Sequence, residues 1–370
     1  MRLYFTVTTD LNYDQRMQRI CGSLAAAGYD VRLIGRQWSN SRPLAPQPYY
    51  QHRLRCWFQR GKLFYLEYNV RLLLYLLPRR AAVWCAIDLD TAVPVWLRAR
   101  LGGQPFVYDA HELFTEVPEV VARPAVQRAW RQVERFIVPR ADLVYTVGPA
   151  LARVFEERYG RPVEVVRNIS RLLDAALPPT SAPPAAGYIL YQGALNAGRG
   201  LEALLEAMPQ VAGRLVVCGE GDLSESLRVR AAALGLLASG QVEFRGFVLP
   251  DALREVTQEA ALGVMLLENQ GLSYYYSLAN KFFDYLHAGI PQVVVDFPEY
   301  RALNDQYEVA EIVPNLEPAT LAATLNYLLR DNPARYQQLA ENCRRARCEL
   351  NWQHEEQHLV ALYAGLVGGN

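Results

Sequence analysis

The sequence predicts an α/β protein built from two doubly wound, parallel-sheet units. Short apolar runs alternate with segments of helical periodicity, first over residues 3–166 and again over residues 188–295. Such alternation marks β-α-β units, whose strands are buried on both faces and read as unbroken apolar runs. Between the two series, residues 177–187 (LPPTSAPPAAG) are rich in proline and small residues, as a linker is. A length of 370 residues allows each unit its own core. The expected boundaries are therefore a first domain over 1–176, a linker over 177–187 and a second domain over 188–350. A C-terminal helix within 351–370 is expected to pack back towards the first domain.

In chain order, Leu3 to Thr8 reads as a buried strand. Asp14 to Ala27 follows as a helix with Met17, Ile20, Cys21 and Leu24 on one face, and Asp30 to Ile34 as a second strand. Arg16 falls in the first turn of that helix, where a cation opposes the helix dipole. Asp14 beside it is the expected counter-charge. The alternation resumes with strands Ala82 to Ile87, Phe106 to Tyr108, Leu143 to Val147 and Val163 to Val166, separated by helices. Residues 49–80 interrupt it. They carry Arg53, Arg55, Arg60, Lys62, Arg71, Arg79 and Arg80 against Glu67 alone, interleaved with Tyr49, Tyr50, Trp57, Phe58, Phe64, Tyr65 and Tyr68. An amphipathic helix packed on its own domain is the favoured reading, and a surface that touches anionic lipid or a lipid-phosphate acceptor is the other.

The second series centres on Tyr274 to Pro291 (YYYSLANKFFDYLHAGIP), set between the apolar runs Leu262 to Leu267 and Gln292 to Val295. A helix from Lys281 to Ala288 is expected there, capped by Asn280 and ended by Gly289. In open parallel sheets a ligand sits beyond the carboxyl ends of the strands, where this helix begins. Lys281 in its first turn is unfavourable unless an anion lies in front of it, which points to phosphate. The chain has 38 lysines and arginines of which only Lys62 and Lys281 are lysines, so a compact point charge is a specific choice. A solvated lysine on an ordinary helix is the alternative. Asp284 lies on the same face, where a carboxylate could take the hydroxyls of a ribose. Gln192 to Gly200 (QGALNAGRG) follows the first strand of this domain, with Gly193, Gly198 and Gly200 allowing close backbone approach and Arg199 able to grip phosphate. Gly219 to Asp222 makes a similar turn after the next strand. Two glycine turns with Lys281 and Asp284 would surround one nucleoside diphosphate. The spacing is not GxGxxG, which argues against a dehydrogenase.

In the first domain, Tyr108 to Glu112 (YDAHE) sets Asp109, His111 and Glu112 within four residues at a strand end. So dense a titratable cluster is costly in a core without partners, and a functional role is favoured. His354 to His358 (HEEQH) matches the HExxH pattern of zinc peptidases, yet no third ligand follows and the surrounding pattern is that of a nucleotide fold. No metal is expected.

Composition narrows the class further. A formal net charge of zero argues against nucleic acid as a partner. Six cysteines without a CxxC pair, and an N-terminus that enters a strand directly, point to a reduced cytoplasmic setting. No apolar run reaches the length of about 20 residues that spans a bilayer.

Several blocks in the right order, IDLDTAVP, VYDAHELFTEVPE, VVRN, YQGALNAGRGLEALLEAM, VVCGEGD and SLANKFFDYLHAGIPQVV, resemble the family 4, or group 1, retaining glycosyltransferases. The resemblance covers nearly the whole chain and implies the GT-B fold, two Rossmann-like domains facing a central cleft. It implies that Arg199 holds the donor's pyrophosphate, with Lys281 as a second cation, and that Gly193 and Gly221 line the donor. Asp284 stands at the second glutamate of the family's E-x7-E motif, which looks towards the ribose. His111 stands where a histidine contacts the transferred sugar, with Asp109 and Glu112 on the acceptor side. The sequence departs from the pattern at Tyr276, which replaces the first glutamate, and at residues 10–14, which replace a diglycine loop. A DxD pair, Asp88 and Asp90, is the metal signature of a different glycosyltransferase fold. Here Asp90 and Thr91 are expected to cap the following helix.

The function implied is transfer of a hexose-type sugar, with retention, from a nucleotide sugar to a glycan or lipid-linked acceptor in cell-surface polysaccharide synthesis. It would take place in the cytoplasm or at the inner membrane face, without a cofactor. A sugar-nucleotide epimerase or hydrolase of the same fold, or a non-catalytic glycan-assembly partner, are the alternatives.

Overall fold

A computed structural model describes residues 1–173 and 187–368. The expected linker, 177–187, lies outside the described residues except for Gly187. The chain divides into two compact units, one of Met1–Asn168 with the chain from Glu355 onwards, the other of Ile169–His354.

The first unit holds a parallel sheet of β1 (Arg2–Thr6), β2 (Asp30–Gln37), β3 (Tyr50–Arg55), β4 (Val83–Ile87), β5 (Phe106–Ala110), β6 (Leu143–Thr146) and β7 (Glu164–Val165). Their order is β3-β2-β1-β4-β5-β6-β7, so the winding reverses between β1 and β4. Leu3, Phe5, Val83, Cys85 and Val107 are buried, the consequence of helices lying on both faces of the sheet. The helix Gln15–Ala26 buries Met17, Ile20, Cys21 and Leu24 as its periodicity predicts. The last helix, Trp352–Gly368, contributes Leu359 and Tyr363 to this unit's core.

Residues 49–80 are not one helix. Tyr50–Arg55 forms β3 at the sheet edge, in parallel register with β2, and only Gly61–Leu76 is helical. Arg53 leaves the basic surface altogether, because its guanidinium is buried against Asp10 and the Arg42 carbonyl. The helix after β4 begins at Leu89, three residues before the predicted Ala92, and carries Pro94 inside it. Proline removes the amide that would bond the carbonyl four residues back, and the side chain of Asn69 donates to that Asp90 carbonyl instead, at 2.8 Å.

The second unit holds β8 (Ile189–Gln192), β9 (Leu215–Cys218), β10 (Val242–Gly246), β11 (Leu262–Met265), β12 (Gln292–Val295) and β13 (Ala310–Val313). All run parallel in the order β10-β9-β8-β11-β12-β13, which reverses between β8 and β11. The helix Asn280–Ala288 packs Phe282, Phe283, Tyr285 and Leu286 into the core and ends at Gly289, whose φ of 72° is left-handed. Its cap is Ala279 rather than Asn280, which lies within the first turn.

Candidate active site

At the reversal point of the second sheet, β8 ends in Gln192 and the chain turns through Gly193. The turn after β9 passes so close that a Cβ on Gly219 would stand 1.9 Å from the Gly193 carbonyl oxygen, a contact only glycine permits. At Gly221 a Cβ would stand 2.3 Å from the Asn196 side-chain oxygen. These two turns leave the end of β8 open to a partly buried lysine. Lys281, in the first turn of the helix Asn280–Ala288, sets its Nζ 3.8 Å over the ring of Tyr191. An ideal Cβ at Gly193 would lie 3.7 Å from that nitrogen. Arg199 lies 5.0 Å over the ring of Tyr274, and its buried Nε has no hydrogen-bond partner.

Among the described residues no carboxylate pairs with Lys281 or Arg199. The helix has no acidic residue in its first turn either. Burial first, then the charge of Arg199, holds the Lys281 pKa well below the usual lysine range. A cation in the first turn of a helix, with a second cation near it and no carboxylate partner among the described residues, is an arrangement that a bound anion would relieve.

Asp284 is engaged by side chains from distant segments. Its Oδ2 accepts from Gln192 Nε2 at 2.9 Å and its Oδ1 from Ser170 Oγ at 2.9 Å. Gln192 is held in turn by Thr257 Oγ1, which donates to its carbonyl oxygen at 2.8 Å. His287 Nε2 lies 2.7 Å from the Leu350 carbonyl, which makes Nε2 the protonated nitrogen. Its Nδ1 stands 3.2 Å from Ser170 Oγ. Burial lowers the His287 pKa to about 4, so the ring is neutral. Both Asp284 oxygens therefore accept from the protein's own donors, and a ribose would share them with Gln192 and Ser170. No sequence signal pointed to these partners, which lie 92 and 114 residues from Asp284.

In the first unit, β5 carries Asp109 and delivers His111 just beyond its end. Asp109 is fully buried. Arg16 Nη2 meets its Oδ1 at 2.9 Å, while Arg16 Nη1 donates to the Val166 carbonyl at 2.8 Å. Asp109 is thus the main counter-ion of Arg16. Asp14 instead accepts the Met17 amide as the helix cap and takes a bond from Thr9. Behind Asp109 stands His111, whose Nε2 lies 3.3 Å from the carboxylate's Oδ2 and whose side chain keeps 22% of its surface exposed.

Asp88 completes the cluster. Its Oδ1 accepts the His111 amide at 2.9 Å, and its Oδ2 stands 3.8 Å from His111 Nδ1. Burial alone would lower the His111 pKa, but Asp109 and then Asp88 outweigh it and hold the imidazole raised. Burial would likewise raise Asp109, yet Arg16 and His111 keep it below the usual carboxylate range. Burial pushes Asp88 well up, and Asp90 to about 6. Asp90 accepts a short bond from Thr8, and Thr91 bonds the Thr6 and Ile87 carbonyls, so neither caps the helix as expected. Glu112 is exposed and contributes charge near Asp88 and Asp90.

Asp88 has φ 54° and ψ 179°, a backbone region that only glycine occupies freely, at a cost of about 1–3 kcal/mol. The bond from its carboxylate to the His111 amide gives a reason to keep aspartate there. Asp88→Gly is accordingly expected to leave unfolding stability equal or higher in urea titration, while turnover falls because His111 loses its anchor.

The HEEQH residues lie on the last helix, with partners outside the motif. His354 bonds Asn351, Glu355 pairs with Arg167 at 3.0 Å, and His358 faces Glu164 at 3.4 Å.

A family model described as Glycosyltransferase Family 4 matches residues 15–170, and one described as Glycosyl transferases group 1 matches residues 186–331. The chain belongs to the group 1, family 4 glycosyltransferases. No curated protein sequence matches it. Among solved structures, this glycosyltransferase is similar to sucrose-phosphate synthase from Thermosynechococcus elongatus, with 18% identity over all of both chains and a TM-score of 0.80. It is also similar to HepE of Anabaena in complex with UDP and glucose, with 15% identity over all of both chains and a TM-score of 0.76. A third likeness is to WaaG, a glycosyltransferase involved in lipopolysaccharide biosynthesis, again with 15% identity over all of both chains and a TM-score of 0.71. These likenesses give the glycosyltransferase the GT-B fold.

Proposed function

We propose that this glycosyltransferase moves a hexose-type sugar from a nucleoside-diphosphate sugar to a glycan or lipid-linked acceptor, with retention of anomeric configuration, in cell-surface polysaccharide synthesis. The observation that carries the reading is the pair Lys281 and Arg199, two cations without a carboxylate partner among the described residues, beside the glycine turn at Gly193. A diphosphate supplies the charge they lack. UDP bound to a protein of the same fold supports that choice of ligand.

In this reading the two cations take up the charge that develops on the departing diphosphate, and no protein carboxylate need attack the sugar. The acceptor hydroxyl approaches from the leaving-group face, which preserves configuration. His111 donates a hydrogen bond to a sugar hydroxyl, Asp109 and then Asp88 raise its pKa, and Asp88 holds its amide in place. Gly221 and Gly193 shape the donor's path, and Asp284, held by Ser170 and Gln192, faces the ribose. Glu112 stands on the acceptor side. A cytoplasmic setting suits six cysteines that are all free thiols.

The test is calorimetric titration with UDP, GDP and UDP-sugars, followed by NMR of the product's anomeric proton with a supplied acceptor. Binding of one nucleoside diphosphate and a product of unchanged configuration are expected. Conversion of nucleotide sugar with no acceptor present would favour the epimerase or hydrolase reading. Binding without diphosphate release from any acceptor would favour a non-catalytic partner, a reading motivated by Tyr276 in place of the motif's first glutamate.

A further inference from the structure

The helix Gly61–Leu76 has two apolar faces. Phe64, Tyr68, Leu72 and Leu76 lie on one and are buried in the first unit. On the opposite side Leu63, Leu66, Val70, Leu74 and, just past the end, Leu77 are all exposed, Leu66 to 64% and Leu74 to 63%. Their spacing of three or four residues places them in one stripe of a helix about 24 Å long. A surface helix of a globular protein ordinarily turns charge outwards, and one that is apolar all round has its second face covered.

The approach to this helix is built to extend the stripe. Glu67 accepts the backbone amides of Trp57 and Phe58, each at 2.9 Å, and receives Arg71 Nε at 2.7 Å. The Arg71 guanidinium lies 4.5 Å over the Trp57 ring. Trp57 is therefore pinned although it is 85% exposed, and Phe58 beside it is exposed as well. The single acidic residue of this segment is consumed in that clamp. Arg55, Arg60, Lys62 and Arg80 are exposed, and none of them has an ion pair among the described residues. They stand at the two ends of the stripe, in a chain whose formal net charge is zero.

We propose that this face seats the protein on a bilayer surface rich in anionic headgroups. The helix lies flat, with the leucine stripe and Trp57 at the acyl boundary and the cations at its ends among the lipid phosphates. Among the described residues no helix is long and apolar enough to cross a membrane, so the contact is peripheral. A second copy of the chain fits the face less well. A two-fold interface sets the same patch against itself and would bring like cations together. The inference is independent of the donor site, because it requires no nucleotide.

The test is co-sedimentation with vesicles of phosphatidylcholine alone and of phosphatidylcholine with about one-third phosphatidylglycerol. Binding is expected on the anionic vesicles, weakened by salt, with a blue shift of tryptophan emission that Trp57→Phe removes. The double variant Leu66→Gln/Leu74→Gln, altered only at exposed positions and checked for fold by circular dichroism, should lower partitioning by about tenfold or more. Arg60→Gln/Lys62→Gln should lower it on anionic vesicles only. The proposal is overturned if the protein binds neither vesicle or if the leucine variant binds as tightly as the parent. A concentration-dependent dimer that the leucine variant dissolves, in a protein that ignores vesicles, would overturn it in favour of a second copy.

Discussion

Replacing Lys281 with alanine is expected to weaken UDP binding by about 1.5–3 kcal/mol, the range for a hydrogen bond to a charged group. If the same ammonium also stabilises the leaving diphosphate, turnover with a sugar nucleotide should fall by about 100- to 1,000-fold, the scale seen when one such donor is removed. Lys281→Met should separate ligand from fold, because it deletes a desolvated cation lying near Arg199 and keeps the packing over Tyr191. Its Tm should rise while UDP binding falls. The pH dependence follows from the depressed lysine pKa. Between that pKa and the ordinary value of 10.5 the unfolded chain binds more protons than the folded one, so this lysine makes stability increase with pH across that window. A bound diphosphate restores the proton. UDP affinity should therefore decline as pH rises through the folded-state lysine pKa, and calorimetric heats in that range should vary with the ionisation enthalpy of the buffer. Unchanged UDP binding in Lys281→Ala would remove the anion site from this part of the molecule.

The second large effect is expected at Arg16. Arg16→Met leaves the carboxylate of Asp109 buried opposite an apolar side chain, and breaking one side of a buried pair costs about 3–5 kcal/mol. For a unit of this size that corresponds to a Tm lowered by roughly 6–20 °C. Arg16→Met/Asp109→Leu should recover much of the loss, since a buried ion pair replaced by apolar groups is often near neutral. Its turnover should stay low nonetheless, because His111 has then lost the carboxylate behind it. The two groups give opposite pH signatures. Asp109, with its lowered pKa, contributes stability above its ordinary value of 3.8 and loses that contribution as pH falls through the folded-state value. His111, with its raised pKa, contributes fully below its ordinary value of 6.5 and loses the contribution as pH rises through the folded-state value. Urea midpoints of parent and His111→Gln should converge on the alkaline side of that transition. Midpoints that keep a constant gap across it would show that His111 carries no charge-linked stability.

The two sheets were legible because parallel strands covered on both faces, such as Val83–Ile87 or Leu262–Met265, leave unbroken apolar runs in the sequence. β3 was missed for the complementary reason. It is an edge strand reading YQHRLR, half-exposed, so its residues do not advertise burial. Lys281 and Arg199 could be singled out because a cation at a helix N-terminus is locally unfavourable and a glycine turn is locally visible. Arg16 gave the same local signal, but its main partner Asp109 lies 93 residues away, and nearby Asp14, the natural choice, is only a lesser contributor. Asp88 was visible only as half of a DxD pair with Asp90, a pattern that says nothing of a partner 23 residues on. Here its side chain makes no cap bond and turns to the His111 amide. The engagement of Asp284 by Ser170 and Gln192 was equally hidden, since it exists only once distant segments are packed together.

The last helix has a consequence for the order in which the molecule is made. Tyr363 sits against Phe5, with ring centroids 5.6 Å apart, and its hydroxyl lies 3.3 Å from that of Tyr145. Glu356 receives a bond from Ser23 at 2.6 Å, and Glu355 accepts the Arg167 amide at 2.9 Å. The first unit is thus begun by the opening residues of the chain and closed by residues some 350 positions later. Domains generally fold as units while the ribosome is still elongating the chain. Here the second unit is complete in the nascent chain first, and the unit that emerges earliest must wait, with the seat of Tyr363 vacant, until the last helix leaves the exit tunnel. A protein truncated near residue 170 would carry that vacancy permanently, and a chaperone that shields it has its work defined by the interval between Asn168 and Glu355.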